Sequence, residues 1–109
     1  MKHDFTPWID AIGVKCAFKK REFFRIIFAN LTELGFHLAN PDAIAGGYRL
    51  EFQRGNCWVI ADRYMSFPVA GETPGIQLYD ESESWEASFH SYTPVSIVTQ
   101  ALNALSTNE

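Results

Sequence analysis

Asp80, Glu81, Glu83 and Glu86 occupy positions 1, 2, 4 and 7 of the run DESESWE, around Trp85, and no lysine or arginine follows Arg63. Carboxylates this dense have three chemical uses. A pair whose pKa values are pulled apart does acid and base work, a group of them holds a hard cation, and an exposed field of them steers and selects a basic partner. The run reads as a β-turn leading into a strand edge, where water keeps the carboxylates alike, so acid–base catalysis is disfavoured. It also lacks the glycine and the closing glutamate of a calcium loop. The expectation is therefore a partner-binding surface made of Asp80, Glu81, Glu83 and Glu86, with Trp85 as the aromatic anchor if its ring is exposed. Alternation with Ala87 and Phe89 favours a core position for Trp85, and in that case the four carboxylates face the partner, aided by Tyr79 and Tyr92.

No other constellation carries chemistry. His3, His37 and His90 are scattered, and none pairs with a cysteine or a second histidine at metal-ligand spacing. Cys57 and His90 make a nucleophile and base only if their strands are adjacent, and Arg54 is the one neighbour in sequence that would activate the thiol. AGGY at 45 to 48 is too short to cradle a phosphate. Catalytic residues, metal and cofactor are therefore expected to be none. Cys16 and Cys57 lie in unlike contexts and read as buried thiols of a reducing compartment.

Charge is divided along the chain. Residues 1 to 63 hold all nine basic residues against seven acids, a balance of +2, whereas residues 64 to 109 hold six acids and no base, a balance of -6. The acidic half repels phosphate backbones. Nucleic-acid binding would rest on Lys15, Lys19, Lys20, Arg21 and Arg25, and on a helix that face is interrupted by Ala17 and Phe18, so the run reads as a solvated helix face. No direct nucleic-acid contact is expected.

The elements that must position these residues fit one domain of 109 residues, 47% apolar and 20% charged, with sixteen aromatics. The opening MKHDFTPWID carries Asp4 and Pro7 where a signal peptide needs an apolar stretch, which predicts a cytoplasmic protein without a membrane span. Thr6-Pro7 predicts a short helix over 7–12. Phe24, Ile27, Phe28, Leu31 and Leu34 recur on one face and predict a helix over 19–34, widened by Phe23 and Ile26 and ended by Gly35. Period-two alternation follows through Tyr48, Leu50 and Phe52, and Gly55-Asn56 predicts a hairpin. A two-residue loop would set Arg49 beside Asp62; a three-residue loop would match Leu50 with Ile60 and Phe52 with Trp58, and is favoured for pairing apolar with apolar. SFPVAGETPG reads as a loop, IQLY as a short third strand, and the residues from Trp85 as a fourth. Thr93-Pro94 opens a last helix with Val95, Val98, Leu102 and Leu105 on one stripe. These predict an α+β two-layer sandwich: a four-stranded antiparallel meander with N-terminal and C-terminal helices on one face.

A helix ending in LTELGF, followed by YRLEFQRGNCWVIAD and further short strands over residues 23 to 90, resembles small bacterial immunity-type proteins that accompany toxins. The resemblance lies in pattern and not in signature residues, so no functional residue is carried over. It implies a small, acidic, non-catalytic protein, monomer or homodimer, that blocks a basic nuclease-type toxin by covering its active site or substrate-binding surface. A phage-type inhibitor of a nucleic-acid-binding defence protein, or a secretion chaperone, is the alternative binding role, and a small enzyme is the third.

Overall fold

The computed structural model describes residues 3–13 and 17–107; Lys15 and Cys16 lie outside the described residues. The first helix, α1, spans Thr6–Asp10, with Pro7 in its opening turn. Asp4 and not Thr6 supplies the oxygen at its start, accepting the Thr6 N–H at 3.0 Å. The second helix, α2, spans Ala17–Glu33. Phe23, Phe24, Ile27, Phe28 and Leu31 are buried along it, whereas Ile26, expected to widen the stripe, is exposed. Gly35 ends the helix at a φ of 84°. The Phe36 N–H reaches back to the Leu31 carbonyl at 3.0 Å and the Gly35 N–H to Thr32 at 3.2 Å, the paired bonds of a Schellman cap.

Two small elements follow that the sequence reading does not contain, β1 (His37–Leu38) and the helical turn α3 (Ala43–Gly46). Pro41 keeps β1 short, and Asn40 extends its pairing by side chain instead: Oδ1 accepts the Glu51 N–H at 2.8 Å and Nδ2 donates to the Arg49 carbonyl at 2.9 Å. The sheet continues through β2 (Arg49–Arg54), β3 (Cys57–Phe67), β4 (Gly71–Asp80) and β5 (Trp85–His90), antiparallel throughout and in sequence order. The meander thus has five strands where four are expected, with β1 added at the edge beside β2.

Two registers differ from expectation. Gly55 takes a φ of 59° and Asn56 does not leave negative φ, the pattern of a two-residue type II′ turn. The turn sets Arg49 opposite Asp62, Leu50 opposite Ala61 and Phe52 opposite Val59. Apolar residues still meet, but on the helix-facing side, and Trp58 and Ile60 pass to the other side. The predicted loop SFPVAGETPG is mostly strand. Pairing of β3 with β4 breaks between Asp62 and Met65 and resumes at Met65 opposite Thr73. Pro74 lies opposite this irregularity, where its missing N–H removes no ladder bond.

The last helix, α4, spans Val95–Thr107. Val98, Leu102 and Leu105 join the α2 stripe, Trp8, and the sheet residues Leu50, Phe52, Val59, Ala61, Ile76 and Leu78 in one buried cluster. One sheet face therefore takes the long helices, which also touch each other. No helix among the described residues is long and apolar enough to cross a membrane.

Candidate docking face

The β4–β5 connection is built around Asp80. Its Oδ1 accepts the Ser82 hydroxyl at 2.6 Å and the Ser82 N–H at 2.9 Å, and its backbone carbonyl accepts the Ser84 N–H at 3.0 Å. Ser84 completes the turn at a φ of 56°. The other oxygen, Oδ2, accepts from the Cys57 thiol at 3.7 Å, which also lies 3.6 Å from the Leu105 carbonyl. Asp80 is 2% exposed. The Ser82 hydroxyl holds the Asp80 carboxyl below its usual range, ahead of the opposing effect of burial.

The expected surface of Asp80, Glu81, Glu83, Trp85 and Glu86 therefore separates by face. Asp80 and Trp85 are paired residues of β4 and β5 on the helix side: Asp80 is buried, and Trp85 is half-buried against the core. Asp80 is thereby corrected from a contact residue to a support of the turn, whereas Trp85 packs on the core, as its alternation with Ala87 and Phe89 favours, and keeps part of its ring at the surface. Glu81 and Glu83 are exposed on it, and Glu86 is exposed on β5. The ion pairs Arg25–Glu22 and Arg49–Asp62 lie away from this turn. The Glu81 N–H donates to the Asn56 carbonyl at 3.0 Å, tying the acidic turn to the β2–β3 turn.

The sheet face away from the helices supplies an aromatic floor beside the acids. Trp58 lies opposite Tyr79, and Tyr79 opposite Glu86. The Trp58 and Tyr79 rings stack at 6.3 Å with an interplanar angle of 11°, both half-buried. Glu86 accepts from the Gln77 amide at 2.8 Å. The Tyr79 hydroxyl is pushed above its ordinary value by burial first, then by the charges of Glu81 and Glu51, with Arg49 opposing. Glu81 and Glu51 thus both act on Tyr79, against Arg49. A shallow depression lined by Tyr79, Asp80, Glu81, Ser84, Trp85 and Glu86 joins the turn to Tyr79.

No family model matches the chain, and no curated protein or solved structure matches it significantly. The site is therefore read from its own geometry. Cys57 sits on the helix side at one end of β3, and His90 on the other side at the far end of β5. Five residues of strand rise separate their positions, about 17 Å, so the two do not form a nucleophile–base pair. The thiol is buried and engaged with acceptors. His90 packs edge-on against Phe67. Among the described residues no group of three or more His, Cys, Asp or Glu is arranged to hold a metal ion.

Sequence reasoning missed Trp58, Tyr79 as its stacking partner, and Glu51. The signal was present in CWVIADRYM, whose apolar residues occupy both alternating sets. With a two-residue turn, one set has to face away from the core.

Proposed function

We propose that this chain is a non-catalytic binding protein that docks a basic protein surface, of the nuclease-toxin type, onto the face formed by Glu81, Glu83, Glu86 and the Trp58–Tyr79 pair. The observation that carries the reading is the joining of the exposed carboxylates Glu81, Glu83 and Glu86 to stacked aromatic rings on the sheet face free of the core cluster. Carboxylates steer a cationic partner into contact, and the aromatic pair supplies the apolar area that holds it. Glu51 extends the acidic field from the neighbouring strand. An immunity-type role follows naturally, because acidic side chains competing for a nuclease's phosphate-binding cations would block its substrate.

The test uses a panel of basic nuclease-type toxin domains as probes. Co-expression should restore survival of cells carrying the cognate toxin, and the association rate of the purified pair should fall steeply as salt rises. The triple variant E81K/E83K/E86K should lose protection and the salt dependence together. Absence of protection by the parent chain, or unchanged association of the triple variant, overturns the reading.

A further inference from the structure

The sheet is open, and its two edges differ. At one edge β1 is two residues long with Pro41 close behind it, so little free backbone is presented there. At the other edge stands β5, six residues paired to β4 without a register shift, with no proline, lysine or arginine and a single carboxylate, Glu86. A regular edge of this kind is a template for a further strand unless something blunts it.

The direction of its free groups follows from the ladder. The Ser91 N–H donates to the Pro74 carbonyl at 2.9 Å, which marks a hydrogen-bonded position of the β4–β5 pairing. Such positions alternate along an antiparallel pair, so Phe89, Ala87 and Trp85 turn their N–H and C=O groups inward to Ile76, Leu78 and Asp80. Glu86, Ser88 and His90 turn theirs outward. Among the described residues, the one partner these outward groups find is the Thr93 N–H, which reaches the His90 carbonyl at 3.0 Å, and a carbonyl has a second lone pair to offer.

The side chains of the same three residues stand on the sheet face away from the helices and read carboxylate, hydroxyl, imidazole. A second β5 laid antiparallel, with Ser88 opposite Ser88, sets Glu86 of each copy against His90 of the other. Each side chain has an atom left for the contact. Gln77 occupies Glu86 Oε2 and leaves Oε1, while the Tyr92 N–H occupies His90 Nδ1 at 3.2 Å and leaves Nε2 as the donor. On the helix side the same register sets Ala87 against Phe89 of the second copy, small against large, and both are half-buried in the single chain. The adjacent register, centred on Ala87, would put Glu86 opposite Ser88 and leave His90 outside the pairing.

We propose that β5 pairs with β5 of a second copy of this chain, antiparallel about a two-fold axis at Ser88, joining the two five-stranded sheets into one. The contact is isologous and closes on itself, so association stops at a dimer. The acidic turns lie at opposite ends of the contact and keep Glu81 and Glu83 clear of it; Glu86 alone belongs to both surfaces. The pairing needs no basic partner, so its test stands apart from that of the docking face.

The experiment is sedimentation equilibrium of the purified chain over a range of concentrations, with amide hydrogen exchange read residue by residue by NMR. The mass should rise from 12.4 kDa toward twice that value as concentration increases. The amides of Glu86, Ser88 and His90 should gain protection in step with it, whereas those of Trp85, Ala87 and Phe89 are protected at every concentration. Ser88→Pro removes a donor that the β4 ladder does not use, and symmetry removes it twice, so self-association should weaken about tenfold or more. His90→Glu sets carboxylate against carboxylate at both ends and should weaken it several-fold. Glu86→Lys combined with His90→Glu should restore it, a recovery specific to this register that also reads the proposal if the proline variant fails to fold. A parent chain still monomeric at about 1 mM, a dimer without the alternating protection, or no recovery in the double variant overturns the proposal.

Discussion

Cys57 and Asp80 face each other across the β3–β4 ladder, the thiol donating to the carboxylate at 3.7 Å while the second carboxylate oxygen organises the turn that carries Glu81 and Glu83. One buried acid thus shapes the loop on which the exposed acids stand. The loop is fixed from below by a carboxylate that is itself buried.

This arrangement predicts an acid-sensitive turn. The Asp80 carboxyl lies below its ordinary value of 3.8 chiefly because the Ser82 hydroxyl donates to it. A folded-state pKa below the unfolded one contributes stability that is fully present above the unfolded value and is lost as pH falls through the folded value. Urea unfolding measured from pH 6 to pH 2.5 should therefore show a loss of stability below about pH 4. Asp80→Asn should be less stable at neutral pH, with a shallower acid limb. An unchanged acid limb in that variant would remove Asp80 from this role.

The two tryptophans of the hairpin ends should separate cleanly. Trp85 packs against the core beside Asp80, so Trp85→Ala should lower stability by about 3 kcal/mol or somewhat less, because its ring is only half-buried. Trp58 stacks on Tyr79 away from the helices, so Trp58→Ala should cost less stability and weaken partner binding by about 2 kcal/mol, or thirtyfold. Denaturant titration and calorimetry of the same two variants decide it; a larger binding loss from Trp85 would return that residue to the contact surface.

What the sequence made legible followed from periodicity that a single element satisfies alone. The α2 stripe, the Gly35 cap, the alternation of Trp85, Ala87 and Phe89, and the α4 stripe are local patterns, and each stands in the structure as read except that Ile26 of the α2 stripe is exposed. The β2–β3 register was missed because Leu50 and Phe52 find apolar partners under either loop length, so hydrophobic matching does not decide between them. Turn geometry at Gly55 decides it, and with it the facing of Trp58. The length of β4 was hidden by Pro74, which reads as a strand breaker until it is known to lie opposite a break in pairing. Asp80 reads as one of four equivalent acids, since its burial is set by the strand pairing that brings Cys57, 23 residues away, against it.

Leu105 ties the last turns of α4 to the sheet, through a fully buried side chain and a carbonyl that faces the Cys57 thiol at 3.6 Å. Leu105→Ala should cost about 2–5 kcal/mol. Hydrogen exchange should locate part of that loss in the final turns of α4, because opening there exposes the cavity the leucine filled. Protection in the helix equal to that of the parent chain would show that α4 is not docked by this residue.

Phe67 covers Gly75 on the face away from the helices, so closely that a Cβ at position 75 would lie 2.8 Å from the ring and 2.9 Å from the Phe89 carbonyl. The phenyl ring also packs edge-on against His90, 5.5 Å between centres. Gly75→Ala therefore cannot be absorbed by rotating one side chain, since backbone opposes it on the second side. The ring must leave, and the β4–β5 pairing at Gly75 and His90 must open slightly. Overpacking of this kind costs about 1–3 kcal/mol. The double variant Gly75→Ala with Phe67→Ala should recover little of that loss, because relief of the ring clash leaves the carbonyl contact in place. Urea unfolding of the two variants measures the difference, and full recovery in the double variant would assign the whole penalty to Phe67.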